Sequence, residues 1–328
     1  MTPDSARSDI RRGLVLGCGG PIGFAWSAIA LDELERALGW DVRDATVIQG
    51  TSAGAEMAAL LGAGLSVAEI VNELDVVAAG STSTATSTST GQTPLARRLR
   101  NDPPPLPPLP WPSLPQRRLA WSAVRRRVDA LAGLAGLLPR GRGNPRFLTD
   151  LGEGLFPDGA WPSTEIRLMA ADRATGELIA LDATQPDLTV GQAISASWAI
   201  PGWFPPVKIG ERKLVDGGTV SPTAAHLLSE HSLDEVYIVA PMSTRGGAPA
   251  RGLDHAERLL RRPMTKRVDH EQRFLEGQGI KVIRIEPGVE ELKAMGPNFM
   301  DTRARAATMI AAREQLPNRV RTQLESQL

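Results

Sequence analysis

The sequence is short of several residue types, and each shortage excludes a class of protein. Cys18 is the one cysteine among 328 residues, so no intramolecular disulfide can form and we expect a reducing compartment. Lysine plus arginine and aspartate plus glutamate number 37 each, which leaves no net charge to attract nucleic acid. We therefore expect no nucleic-acid partner.

Long apolar runs are also missing. No stretch of about 18 apolar residues without charges occurs, so the sequence predicts no membrane-spanning helix. Residues 1–12 contain no apolar core followed by a cleavage site, which argues against a secretory signal. We expect a cytoplasmic protein; if it meets a membrane, the contact is peripheral, at the membrane surface.

The segments that are present alternate between strand-like and helix-like patterns. Residues 13–17 and 45–50 are short apolar runs typical of buried parallel strands, and residues 21–38 and 53–64 carry apolar residues at helical spacing. Similar alternation returns from residue 165 onward. Because such alternation favours a parallel sheet covered by helices, we predict one three-layer α/β/α domain over residues 1–328 with a mostly parallel central sheet.

The composition changes sharply between residues 80 and 143. Residues 81–90 are serine, threonine and alanine only, and eight of the thirteen residues 103–115 are proline. Since neither piece buries enough apolar surface to offset its ordering entropy, we predict a flexible insert over 80–116; a docking site for a proline-recognising partner is the alternative. Residues 117–143 pattern as a cationic amphipathic helix, which predicts either a lid touching an anionic membrane or a helix capping the core.

A glycine-flanked serine is the first candidate for chemistry. Gly50, Ser52 and Gly54 form a G-x-S-x-G sequence between a predicted strand and a predicted helix. A serine on such a sharp turn exposes its hydroxyl in a strained backbone conformation, and the small residues on both sides let strand and helix approach. The alternative is a glycine-serine helix entry without chemistry.

A glycine-rich loop follows the first predicted strand. It does not fit a dinucleotide fingerprint, because Ile22 stands where the third glycine is needed. Its glycines can instead aim backbone N–H groups at a developing oxyanion, and we predict Gly19 and Gly20 as the donors. Pro21 has no N–H to donate. Cys18 lies in the same turn without a basic neighbour, which argues against a cysteine nucleophile.

Asp216 is the third candidate. It ends a short apolar strand and is followed by Gly217 and Gly218, so an acid is held at a sheet edge with room around it. The alternative is a simple Asp-Gly turn.

The order of these motifs along residues 13–285 resembles the patatin-like phospholipase family, of bacterial type. Residues 14–26 look like the family's oxyanion loop and first helix, residues 50–54 match its nucleophile turn, and residues 195–207 are similar to the segment before its acid. The resemblance implies a Ser52–Asp216 dyad that cleaves lipid esters through an acyl-enzyme, as in an A-type phospholipase, with no metal or cofactor.

Three alternatives remain open. A soluble-ester esterase or thioesterase would share the site. A catalytically weak lipid-binding relative is the second, because many family members carry a basic residue where this chain has Ile22 and a glycine where it has Cys18. A histidine-containing triad is the third, since all four histidines follow Asp216 in the sequence. These are His226, His231, His255 and His270.

Overall fold

The computed structural model describes residues 10–79, 92–107, 141–247, 252 and 254–326. Within these residues one eight-stranded sheet runs in the order β5-β6-β3-β2-β1-β7-β8, and β4 also pairs with β3. The strands are β1 Arg12–Leu16, β2 Val47–Thr51, β3 Glu165–Asp172, β4 Leu178–Leu181, β5 Val207–Ile209, β6 Arg212–Asp216, β7 Glu235–Val239 and β8 Lys281–Ile285.

Five strands are parallel and form the centre and one edge of the sheet. β1 pairs in parallel with β2 and β7, β2 pairs with β3, and β7 pairs with β8. The other edge is antiparallel, because β4 and β6 run against β3 and β5 runs against β6. The predicted mostly parallel α/β sheet is therefore confirmed.

Helices flank the sheet on both faces. They are α1 Gly20–Leu38, α2 Ala53–Gly62, α3 Val67–Ala78, α4 Pro94–Arg100, α5 Arg146–Leu155, α6 Val190–Ser197, α7 Asp254–Gly277, α8 Val289–Met295 and α9 Arg305–Glu325.

Successive side chains of β1 point into two different apolar layers, one on each face of the sheet. Leu14 and Leu16 pack into a large cluster with side chains of α1, α2, α3 and α9. Val15 packs into a second cluster with Val268 and Leu275 of α7. Because successive side chains of a strand point to opposite faces, the sheet lies between two helical layers.

Residues 94–100 differ from the expectation of a flexible insert. They form α4, in which Leu95 and Leu99 are buried. The buried Arg98 pairs with Glu56 of α2, its Nη2 donating to Oε2 at 3.1 Å, and with Asp102 at 3.2 Å. Composition did not predict this helix, because its anchor is an ion pair between residues distant in sequence.

The rest of the predicted insert lies largely outside the described residues, as do residues 117–140 of the predicted cationic helix. Residues 141–143 are described and are not helical, and the N–H of Gly143 donates to the Trp203 carbonyl at 2.7 Å. The indole of Trp203 donates to the Pro104 carbonyl at 3.2 Å.

Among the helices described, none is long and apolar enough to cross a bilayer.

Candidate active site

Ser52 occupies the single-residue turn between β2 and α2. Its φ is +56° and its ψ is −117°, a strained combination for a residue with a side chain. The residue is 2% exposed. The predicted turn geometry is thus present, with the serine at the carboxyl end of a central parallel strand.

The flanking glycines are required by the close approach of backbone segments. A Cβ on Gly50 would lie 2.2 Å from the Gly54 carbonyl oxygen, and a Cβ on Gly54 would lie 2.0 Å from that of Leu16. Both distances are far below the 3.0 Å that Cβ contacts tolerate. The Ser52 turn is therefore pressed against the end of β1, where the glycine loop begins.

Ser197 fixes the backbone of this turn from another helix. Its Oγ accepts the N–H of Ser52 at 2.8 Å and donates to the Met169 carbonyl of β3 at 2.7 Å. In the sequence, Ser197 falls in the segment 195–207 that resembles the family, and no role was predicted for it. No local pattern signals the contact, since it joins residues 145 positions apart.

Asp216 lies at the end of β6, where it is buried beside the Ser52 hydroxyl. Its Oδ1 accepts the N–H of Gly218 at 2.7 Å. Burial raises the pKa of Asp216 to about 7, and the neighbouring Ser52 hydroxyl and the Gly218 N–H oppose that rise. The two residues predicted from distant motifs are thus in contact, and the carboxyl is poised to gain or lose a proton near neutral pH.

The glycines after Asp216 leave no room for side chains. A Cβ on Gly217 would lie 2.7 Å from the Met169 carbonyl oxygen, and one on Gly218 would lie 3.0 Å from both Asp216 Oδ1 and Cys18 Sγ. The Asp216 turn therefore sits between β3 and the glycine loop.

Glu271 of α7 anchors the chain just beyond the Asp216 turn. Its fully buried carboxylate accepts the hydroxyls of Ser221 at 2.5 Å and Thr223 at 2.6 Å, and the N–H of Ala225 at 2.9 Å. The side-chain amide of Gln49 in β2 donates to the Thr223 carbonyl at 3.0 Å. Sequence analysis missed both anchors, because they also depend on tertiary packing.

The glycine loop leaves two backbone donors without an acceptor among the described residues. Gly20 begins α1 with φ +59°, and a Cβ there would lie 2.8 Å from the Phe299 carbonyl oxygen. The N–H groups of Gly19 and Gly20 have no acceptor among the described residues, whereas the N–H of Cys18 is bound to the Pro222 carbonyl at 2.8 Å. Two unpaired amides at a helix start form an anion-binding arrangement.

Cys18 and the histidines take other positions. Burial, reinforced by nearby Asp216, raises the pKa of the Cys18 thiol far above its usual range, which disfavours the thiolate. Nδ1 of His226 lies 3.2 Å from Glu271, and Nε2 of His231 lies 2.9 Å from Glu165. Both of these imidazoles therefore face carboxylates other than Asp216. No cluster of three metal-ligating side chains occurs in the part of the chain that the structure describes.

Fold and site together define a three-layer α/β protein in which a strained, buried serine faces a buried carboxylate. The chain belongs to the patatin-like phospholipase family, whose model matches residues 14–229. Ser52, Asp216 and the glycine loop all lie within that range. Membership of this family supports the hydrolysis of lipid esters.

Solved structures and curated sequences were also compared. VipD from Legionella pneumophila is 14% identical with a TM-score of 0.43, and the match covers 97% of this chain and 67% of that one. The type III effector protein ExoU is 18% identical with a TM-score of 0.36, covering 96% of this chain and 53% of that one. Among curated protein sequences, none matches the chain significantly.

Proposed function

We propose that the protein is a serine hydrolase of lipid esters, with Ser52 as nucleophile and Asp216 as its base. The observation that carries the proposal is the strained, buried Ser52 beside the buried carboxyl of Asp216, whose pKa burial raises to about 7. A carboxylate of ordinary pKa is a poor base for an alcohol, because its pKa lies far below that of a hydroxyl group. The raised pKa of Asp216 makes this difference in pKa smaller.

The chemistry would run in two halves. Ionised Asp216 takes the hydroxyl proton as Ser52 Oγ attacks the ester carbonyl, and the proton passes to the departing alcohol as the C–O bond breaks. A water molecule then gives its proton to Asp216 and attacks the acyl-enzyme, which releases the fatty acid and restores the serine. Atoms and charges balance, and no cofactor enters either half.

The oxyanion would be stabilised by the amides of Gly19 and Gly20. Each such donor typically contributes about 10²–10³ to the rate. Ile22, at the position where many family members carry a cation, is fully buried in the apolar cluster of α1. The stabilisation of the oxyanion in this loop therefore falls on backbone N–H groups and on the positive end of the α1 dipole.

A fluorophosphonate probe tests the nucleophile. Wild-type protein should be labelled and Ser52→Ala should not, while Ser27→Ala, which changes a buried serine of α1 outside the site, should label like wild type. Absence of labelling in folded wild type would falsify the assignment of Ser52.

The substrate class needs a second measurement. Fatty-acid release is followed from phospholipids, triacylglycerols and soluble short-chain esters and thioesters, with Asp216→Asn as the control. Release from phospholipids above that from soluble esters supports a lipid hydrolase. The reverse preference supports a soluble-ester esterase or thioesterase. If neither the wild type nor the variant cleaves any ester, the result supports a lipid-binding relative without catalytic activity.

A further inference from the structure

A cationic pocket lies against the first half of α7, next to the glycine loop. It is a cavity of about 680 Å³. We propose that this pocket binds the phosphate of a lipid head group, a proposal that rests on the lipid-hydrolase function because it specifies the substrate. The lining residues are Thr244, Gly247, His255, Arg258, Leu259, Arg261, Arg262, Thr265 and Lys266.

The pocket adjoins the candidate active site through Arg261. This buried guanidinium donates to the Pro241 carbonyl, and the Pro241 ring is so close to Gly19 that a Cβ there would lie 2.9 Å from it. Arg261 also interacts electrostatically with Cys18 in the glycine loop. Arg261 and Pro241 therefore connect the pocket to the glycine loop that carries the candidate oxyanion donors.

The pocket carries more positive charge than its carboxylates balance. Glu257 pairs with both Arg258 and Arg261, whereas neither Arg262 nor Lys266 has a carboxylate within ion-pair distance among the described residues. Arg258, Arg262 and Lys266 recur every fourth residue, so they share one face of α7. Among the side chains that the structure describes here, four permanent cations thus face one carboxylate, and an anion would complete the site.

One of these arginines lacks an acceptor, and another is buried with a single carboxylate as its charge partner. Nε of Arg258 is buried and has no hydrogen-bond partner in the described part of the chain. Burial lowers the pKa of Arg261, and the single carboxylate of Glu257 opposes that shift. Arginine forks match phosphate oxygens in charge and geometry, and a phosphate offers more acceptor oxygens to several cations than a carboxylate does.

The exposed Leu259 favours a lipid head group over free phosphate as the ligand of the pocket. Its side chain is 69% exposed, and it lies on the pocket rim beside Arg262. An exposed leucine adjoining exposed cations is suited to a membrane interface, where apolar groups enter the acyl boundary and cations meet phosphates. A soluble phosphate would gain nothing from that leucine.

The test measures binding in a Ser52→Ala background, so that lipid is not consumed and the result does not depend on hydrolytic activity. The probes are pyrophosphate and vesicles of phosphatidylcholine with or without phosphatidic acid. We expect the double variant Arg262→Gln, Lys266→Gln to bind both pyrophosphate and phosphatidic acid vesicles at least about tenfold more weakly, since each basic residue near an anionic surface is worth roughly fivefold.

Arg273→Gln is the matched control, because Arg273 is an exposed cation of the same helix outside the pocket. It should leave binding of both probes within about twofold, as a screened surface charge does. Unchanged binding by the double variant, or an equal loss in Arg273→Gln, would contradict the proposal that this pocket binds phosphate. Loss of pyrophosphate binding without loss of vesicle binding would show that the phosphate does not come from a lipid head group. In every case the fluorophosphonate result for Ser52 stands separately.

Discussion

The turns that carry Ser52 and Asp216 meet at one point but are held by different forces. The Ser52 turn is fixed by backbone against backbone, because Gly50 and Gly54 allow contacts that any Cβ would prevent. The Asp216 turn continues into a segment held by side chains, chiefly the buried carboxylate of Glu271. Added volume should therefore disrupt the Ser52 turn, whereas a change of buried charge should alter stability and activity at the Asp216 turn without disrupting it.

Gly54→Ala should have the largest effect. Its Cβ would lie 2.0 Å from the Leu16 carbonyl oxygen, and no flexible side chain can yield there. We expect a loss of unfolding free energy beyond the roughly 1–3 kcal/mol of ordinary overpacking, with complete loss of activity. Urea denaturation measures the change. Gly277→Ala, where a Cβ meets nothing within 4 Å, should behave like wild type; a stable Gly54→Ala enzyme would contradict the steric account of the Ser52 turn.

Asp216→Asn should separate activity from stability. Losing the base should lower kcat/KM by about 10²–10⁴. The pKa of Asp216 is about 7 in the folded protein against 3.8 for the model carboxyl, so ionisation destabilises the fold as pH rises between those values. At pH 8 removing the charge should recover up to about 4 kcal/mol of unfolding free energy.

That gain should shrink as pH falls toward 4, where both states become protonated, and urea titrations at the two pH values measure it. Asparagine retains the oxygen that accepts the Gly218 N–H, so the turn itself should survive. A variant that is less stable than wild type at pH 8 would show that Asp216 supports the fold rather than straining it.

Ser197→Ala tests the side chain that accepts the backbone N–H of Ser52. The Ser52 N–H would lose its acceptor inside a buried site, which costs about 1–3 kcal/mol and lets the nucleophile drift. We expect kcat to fall by about 10- to 100-fold with little change in KM, because the serine positions the nucleophile rather than the substrate. Ser195→Ala is the matched control, since Ser195 is buried in the same helix but bonds to Thr149. Equal losses in both variants would indicate general damage to α6.

Features that depend on residues close together in the sequence were predicted, whereas features that depend on contacts between distant residues were not. The Ser52 turn was predictable because its glycines are neighbours in sequence. The sequence pattern also predicts long helices over 253–276 and 303–325, within two residues of the observed bounds of α7 and α9, since such patterns are local. The positions of Ser197, Glu271 and Arg98 were not, because each acts on a partner more than 40 residues away. The antiparallel edge that delivers Asp216 likewise depends on strand pairing, which periodicity does not encode.

The smallest effect we predict is a pH dependence that belongs to the Asp216 turn alone. Because the base works only when ionised and its pKa is about 7, kcat/KM on a neutral ester should fall by up to about tenfold per pH unit below 7 and level off above it. Ser197→Ala should lower the whole profile without moving its midpoint, since Ser197 contacts Ser52 and Met169 rather than the carboxyl. A midpoint near 4 would mean that the carboxyl titrates like an exposed one, and a shift of the midpoint in Ser197→Ala would mean that the two turns are coupled rather than held independently.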